Sequence, residues 1–169
     1  AGAVISRGGG AIEVLQAAVE LDGSRRSTFE RLAGLHAAVE DWAELASVQR
    51  RLLPLLPAGE QVAAREALAT LLSERLHDEG AAWAARVAAL RQAPGLRRLR
   101  TALEAVAEGK EAELAAIYLE LGAKAAPQVA HTLRARGAAL LEVAGDLDGA
   151  EAAWAAVIAE AKDDAEAWS

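Results

Sequence analysis

Histidines and paired carboxylates are the residues of this sequence that could carry acid–base or metal chemistry. The histidines His36, His77 and His131 lie far apart, and none belongs to an HExxH or similar metal-ligand spacing. The acidic groups at 78–79 and 162–164 fall at predicted helix starts and turns, where carboxylates cap helices. No Ser/His/Asp or Cys/His set can be assembled. We therefore expect no enzymatic activity, no bound metal and no cofactor.

A glycine-rich segment near the start, VISRGGGAIEVLQ, imitates the strand, turn and helix of a dinucleotide site. That fingerprint needs a third glycine three residues after Gly10, but Glu13 stands there. No βαβ pattern follows. The segment is therefore interpreted as a flexible terminal or inter-repeat loop.

The strongest local charge feature is LRRLR, residues 96–100. Leu96, Leu99 and Leu103 share one face of a helix at this spacing, which turns the arginines towards the opposite face. The simplest interpretation is an amphipathic helix with a solvated basic side.

The amino-acid composition indicates the type of secondary structure that carries these residues. Hydrophobic residues make up 53% of the 169 and aromatic residues only 4%; the excess is mostly Ala and Leu, which favour helices. The sequence therefore predicts an all-α protein. The net charge of −7 argues against non-specific nucleic-acid binding, which needs clustered Lys and Arg.

Targeting signals and termini add further expectations. No apolar run reaches the roughly 18 residues that a membrane span needs, and no signal peptide is recognisable at the start. We expect a cytoplasmic location. The chain contains no Met, so we expect it to be a piece of a longer chain.

A period of about 35 residues runs along the sequence. The early residues of successive predicted helices, Leu45, Ala82, Ala115 and Ala150, are separated by 37, 33 and 35 positions, and a further step of 34 back reaches Ala11. Each of these helices ends in a turn with Pro, Gly or acidic residues. A fixed period of this length is typical of helical repeats.

Helix signals fill each period with two helices. Ser27 to Glu30 has the form of a capping box, and Asp41 to Glu44 opens the next helix in the same manner. Phe29, Leu32 and His36 fall on one helical face. The periodicity predicts helices over 10–21, 28–39, 42–53, 59–77, 79–92, 96–107, 110–122, 127–144 and 147–161.

These features resemble the tetratricopeptide repeat, a helix–turn–helix unit of about 34 residues. The resemblance rests on the family's large and small apolar positions, and on its proline near the end of the repeat. The matching residues are Phe29, Leu32, Ala33, Pro57, Leu68, Ala69, Leu72, Ala82, Pro94, Leu99, Val106, Ala115, Pro127, Ala138, Leu141, Ala150 and Trp154. Leu45 replaces a small residue, and Lys162 stands where proline is usual.

The resemblance implies a right-handed α-solenoid of antiparallel hairpins, forming one repeat domain over residues 1–169. Its parts would be a half repeat at 10–23, repeats at 26–59, 60–95, 96–128 and 129–164, and the start of a further repeat at 165–169. An irregular helical bundle with similar hairpins is the structural alternative.

The resemblance also implies a function, which is binding a partner protein or peptide on the concave surface lined by the first helices of the repeats. In this register the polar candidates for partner binding are Arg97, Arg100, Glu104, Glu108, Thr132 and Glu142, with Ala107, Ala135, Ala139 and Val143 between them. Arg97 and Arg100 would meet a carboxylate of the partner. The Lys/Asn set with which some family members clamp a C-terminal carboxylate is absent.

Two other functions remain open at this point. The segment could be a structural or regulatory spacer of a larger multidomain protein, with no peptide ligand of its own. A lipid-binding helical bundle fits an acidic chain poorly.

The two ends of the sequence lead to a separate expectation. Ile12, Leu15, Val19 and Leu21 have no visible first-helix partner, and Trp168 would anchor a following helix. We therefore expect exposed apolar surface at one or both ends, with self-association as one way of covering it.

Overall fold

The structure is a computed structural model that describes the backbone of residues 2–167 and the side chains of residues 10–159. The described part is built of α-helices joined by short turns and contains no β-strand, which confirms the all-α prediction. It divides into two compact units, an N-terminal unit of residues 1–92 and a C-terminal unit of residues 93–169. Within the described residues, no helix has the length and apolarity needed to cross a membrane.

The N-terminal unit contains five helices in which chain neighbours pack together. Helix α1 packs on α2, α2 on α3, α3 on α4, and α4 along α5. A short 3-10 helix at Leu53–Leu55 follows α3 directly. The helices are α1 Gly2–Leu21, α2 Arg26–Ala38, α3 Trp42–Leu52, α4 Ala58–Glu74 and α5 Glu79–Gln92.

The C-terminal unit contains four helices. Helix α7 packs along α8, and α8 along α9. Because the connecting turns are only a few residues long, helices that pack along their chain neighbour run antiparallel to it. The helices are α6 Arg97–Glu104, α7 Glu111–Gly122, α8 Pro127–Ala144 and α9 Leu147–Ala167.

One backbone feature recurs two residues before the next helix in the turns after α2, α4, α6 and α8. Each of these turns contains one residue in the left-handed region: Glu40 (φ 57°), His77 (φ 53°), Gly109 (φ 73°) and Gly145 (φ 81°). A left-handed residue turns the chain away from the helical path, and here each one precedes the start of the next helix. The period of about 35 residues therefore has a counterpart in the backbone.

An aspartate follows three of these left-handed residues and caps the next helix. Asp41 accepts the Glu44 backbone N–H at 3.4 Å, Asp78 that of Ala81 at 2.9 Å, and Asp146 that of Gly149 at 3.0 Å. This confirms that Asp41 opens α3. In the turn after α6, Lys110 occupies the same place.

These turns also show how the residues that mark the period of about 35 residues are placed in the helices that follow. Leu45, Ala82 and Ala150 lie five residues after their left-handed residue, and all three are buried. In the α6–α7 turn the fifth residue after Gly109 is Leu114 rather than Ala115, so the backbone register there differs by one residue from the sequence prediction. Both residues are fully buried, which is why apolar character alone could not separate them.

Helix α1 differs from the prediction at its beginning. The glycine-rich segment Gly8–Gly10 lies inside α1 rather than in a loop, although glycine costs about 1 kcal/mol per residue within a helix. Val19 is buried, and Ile12 and Leu15 pack against the cluster formed with Phe29 of α2. This packing supplies the partner that the sequence did not reveal, and an established helix extends at low cost. Ala11 is exposed and is not equivalent to Ala82 or Ala150.

The capping box predicted at Ser27 is also wrong. Helix α2 begins at Arg26, and its N-cap residue, Arg25, makes no side-chain capping bond. The turn is instead held by Asp22, whose carboxylate accepts hydrogen bonds from the Ser24 N–H at 3.1 Å and the Ser24 hydroxyl at 2.5 Å. Since these bonds order the chain before Ser27, the helix starts earlier than the Ser-x-x-Glu pattern indicates.

Two glycines let α7 and α8 approach closely. A Cβ atom at Gly137 would lie 3.0 Å from the Leu119 side chain and 3.3 Å from the Ala115 carbonyl oxygen. A Cβ atom at Gly122 would lie 2.9 Å from the Arg134 side chain. The tightest helix contact in this unit therefore depends on residues that the sequence pattern did not single out.

Candidate partner-binding surface

The six residues predicted to bind a partner lie on α6, on α8 and in the turn after α6, all in the C-terminal unit. Arg97, in the first turn of α6, and Glu108, in the turn that follows α6, are both exposed. Glu104 and Thr132 are half-buried, Glu142 is exposed, and Arg100 is buried. The structure therefore leaves Arg97, Glu108 and Glu142 at the surface.

Arg100 has an internal role. Only 8% of this residue is exposed, and its Nη1 donates a hydrogen bond to the Pro94 carbonyl oxygen at 2.7 Å. The guanidinium thus anchors the segment that leads into α6, together with the neighbouring buried side chain of Leu99. Its Nε atom is buried without a hydrogen-bond partner.

Glu104 joins three helices of the C-terminal unit. Its carboxylate accepts hydrogen bonds from Arg136 Nη1 on α8, at 2.7 Å to Oε1 and 2.6 Å to Oε2. It also accepts the hydroxyl of Tyr118 on α7 at 2.9 Å. Charge-assisted bonds of this kind are stronger than neutral ones when they are partly shielded from water. The network ties the end of α6 to α7 and α8.

Tyr118 is the buried member of this network. Its side chain is fully buried, and burial raises the pKa of the phenol, with the hydrogen bond to Glu104 and the nearby Glu104 charge adding to the shift. The nearby Arg136 and Arg100 charges act in the opposite direction. The phenol therefore stays a neutral donor at all ordinary pH values.

The two predicted residues on α8, Thr132 and Glu142, both make hydrogen bonds within the protein. The Thr132 hydroxyl donates to the Gln128 carbonyl oxygen at 3.0 Å. Glu142 accepts the indole N–H of Trp154 at 2.8 Å, which ties α9 to the end of α8. The aromatic residue that matched the repeat pattern thus contacts a predicted surface residue.

The N-terminal unit contains a comparable link between the first helices of two hairpins. Arg26 on α2 donates to Glu60 on α4 at 2.8 Å and 3.3 Å, and to Glu30 on its own helix at 2.6 Å. These bonds, to Glu30 first and Glu60 second, raise the pKa of Arg26. The residues of this cross-helix pair are 34 positions apart, close to the 32 that separate Glu104 from Arg136.

Sequence reasoning missed Tyr118 and Arg136. Opposite charges one repeat length apart were the signal that could have found the Glu104–Arg136 pair, because equivalent positions of neighbouring repeats come together in a solenoid. No comparable signal marked Tyr118 as a donor to Glu104, since the two residues belong to different helices and the sequence does not show which faces meet.

The histidines differ from one another in their surroundings. His36 is buried on α2 beside Leu32, and its Nδ1 lies 3.4 Å from Asp41 Oδ2. His77 and His131 are exposed. Among the described residues no group of three or more His, Asp or Glu side chains is placed to hold a metal ion.

Comparison of the chain with protein-family models, with curated proteins and with solved structures finds no match.

Proposed function

We propose that this chain is a protein–protein interaction module that binds a partner protein or peptide in the cytoplasm. The binding surface is the one lined by the first helices of its hairpins, in the manner of the tetratricopeptide repeats that the sequence resembles. The proposal includes a solenoid arrangement of hairpins within each unit.

The observation that carries the proposal is the pairing of first helices. The Glu104–Arg136 bonds join α6 to α8, and the Arg26–Glu60 bonds join α2 to α4. In a stack of hairpins the first helices stand side by side and present one continuous surface. Ion pairs between alternate helices support this arrangement over a square bundle, in which alternate helices lie diagonally.

The chemistry of this surface fits a polar peptide. Exposed Arg97 at the start of α6 and Glu108 in the turn after it place opposite charges at the two ends of this helix, and Glu142 adds a carboxylate at the end of α8. Rim charges of this kind govern the rate of association and its salt dependence more than the final affinity. A partner with both acidic and basic side chains along an extended segment matches it best.

The test measures affinity for a partner captured with the intact chain. Arg97→Glu and Glu108→Arg should each lower the association rate constant, and through it the affinity, about tenfold, equivalent to about 1.4 kcal/mol. The matched charge reversals on α3, Arg50→Glu and Glu44→Arg, should leave the affinity for the partner unchanged. Equal effects from both sets, or no partner at any concentration, would favour the spacer function instead.

A further inference from the structure

An apolar groove lies between α1 and α2 in the N-terminal unit. It has a volume of about 490 Å³ and is lined by Ala11, Val14 and Leu15 of α1, and by Arg31, Gly34 and Leu35 of α2. Val14 is 69% exposed. We call this feature the α1–α2 groove.

Gly34 gives the groove its floor. A Cβ atom built at Gly34 meets no atom within 4 Å, so the space above this residue is open. The groove can therefore accept an apolar side chain from another molecule without any rearrangement of α1 or α2. An exposed apolar concavity with a charged residue at its rim is typical of a protein-docking site.

Arg31 is the charge at that rim. It lies one helical turn before Leu35 on α2 and is exposed. In the described part of the chain it takes part in none of the ion pairs. Its guanidinium is therefore available to a carboxylate carried by whatever fills the groove.

A surface with the complementary pattern lies on α9. Leu147, Glu151, Trp154 and Ile158 follow one another at helical spacing and form one stripe along this helix. Leu147 is 68% exposed and Ile158 is 54% exposed. We call these four residues the α9 stripe. It is apolar apart from one exposed acid, Glu151.

We propose that the α1–α2 groove of one copy of this chain receives the α9 stripe of a second copy. Leu147 precedes Glu151 by one helical turn, and Leu35 follows Arg31 by one turn. When the two helices meet in opposite directions, the Leu147 side chain enters the space above Gly34 while the Glu151 carboxylate reaches Arg31. Charge complementarity and the matching one-turn spacing both select this occupant.

The interface joins two different surfaces, so it is head-to-tail. Each copy that docks its α9 stripe leaves its own groove free for another copy, and such contacts build open or ring-shaped assemblies rather than simple two-fold dimers. The mean size of the assembly should therefore rise with concentration.

Sedimentation velocity of the intact chain over a wide concentration range tests this proposal. Wild-type chain should sediment faster as concentration rises, whereas Arg31→Glu and Glu151→Arg should each raise the concentration needed for assembly about tenfold or more. The α3 variants Arg50→Glu and Glu44→Arg serve as matched controls and should assemble as the wild type does.

A mixture of the Arg31→Glu and Glu151→Arg variants tests the charge pairing directly. Each variant alone places like charges across the junction. In the mixture, every junction between unlike variants has opposite charges, either in the original or in the exchanged positions, so assembly should return. Filling the groove with Gly34→Leu should abolish assembly while circular dichroism shows an unchanged helical fold.

Three results would overturn the proposal. One is a wild-type chain that stays monomeric at all concentrations. Another is assembly that survives Arg31→Glu, Glu151→Arg and Gly34→Leu, since it would then use other surfaces. The third is a mixture of the two charge variants that assembles no better than either alone.

Discussion

The hydroxyl of Tyr118 on α7 lies 2.9 Å from Oε1 of Glu104 on α6, and the same carboxylate receives Arg136 from α8. One half-buried acid thereby couples three helices. The buried Tyr118 hydroxyl donates a hydrogen bond to Glu104, and the Arg136 guanidinium balances the negative charge of the Glu104 carboxylate. These bonds tie the end of α6 to α8, two of the helices that carry the proposed partner-binding surface.

The first prediction concerns the titration of Tyr118, the single tyrosine of the chain. Burial and the bond to Glu104 raise its pKa, so the phenolate absorbance should appear well above pH 10, where an ordinary tyrosine titrates. Because the folded-state pKa is the higher one, the network's stabilisation is complete below pH 10. It is lost as pH rises through the folded-state value.

Glu104→Gln is the matched variant for this titration. It removes the carboxylate that accepts the phenol proton, so the titration should move to lower pH while staying above the ordinary value, because burial remains. Ultraviolet absorbance measured against pH gives the tyrosine titration midpoint of the wild type and of the variant. A wild-type midpoint at the ordinary tyrosine value would show that Tyr118 is solvated and that the three-helix network does not form.

A second prediction compares two helical glycines. Gly137→Ala should lower the free energy of unfolding by about 1 kcal/mol, because the new methyl group meets Leu119 and the Ala115 carbonyl oxygen at the α7–α8 contact. Gly34→Ala should raise it by about 0.5–1 kcal/mol, since the site is open and alanine favours the helix. Urea unfolding of both variants measures the difference. A Gly137→Ala variant that is more stable than the wild type would contradict the α7–α8 packing, and a destabilised Gly34→Ala variant would contradict the open space above Gly34.

The third prediction tests the repeated turn. Asp78→Ala and Asp146→Ala should each cost about 1 kcal/mol, because each removes a side-chain cap from the start of the next helix. Asp148→Ala on the first turn of α9 changes the charge equally without removing that cap and should cost less. Thermal unfolding should show shifts of about 2–4 °C for the capping residues. Equal shifts for all three variants would mean that the aspartates act only through their charge.

A fourth prediction tests the register at Ala150, which is 2% exposed on α9. Ala150→Trp should destabilise the protein by about 1–3 kcal/mol or more, because the large ring has no space in a packed helix contact. Ala155→Trp is the matched control on the exposed side of α9 and should have a much smaller effect. An unchanged melting temperature for Ala150→Trp would show that α9 does not pack on α8 as described.

The helices were largely predictable because they depend on local signals. Asp41 caps α3, and Phe29, Leu32 and His36 share the buried face of α2, as the apolar spacing predicts. The register at Leu114 was not predictable, since two adjacent apolar residues satisfy the same pattern and only the left-handed Gly109 distinguishes them. The start of helix α1 was predicted too late. Its glycines disfavour a helix locally, but packing of α1 on α2 stabilises one.

The candidate surface was only partly predictable. Amphipathic spacing correctly turned Leu99 inward and Arg97 outward. It could not show that Arg100 would be buried against the Pro94 carbonyl, because the fold of the preceding turn decides this. Trp168 lies outside the described residues, whereas α9 continues to Ala167, so the turn expected at 162–164 before a further repeat is absent. The tetratricopeptide-like family, the single repeat domain and the partner-binding residues remain predictions.

Site-specific photocrosslinking shows whether a partner binds across the first helices of the hairpins. A photoreactive residue is placed at Arg97 or Thr132 on first helices, and at Arg50 or Ala155 on second helices, in the intact chain bound to its captured partner. We predict that the partner crosslinks at Arg97 and Thr132 and not at Arg50 or Ala155. Crosslinking at the second helices alone, or equally at all four positions, would contradict partner binding across the first helices.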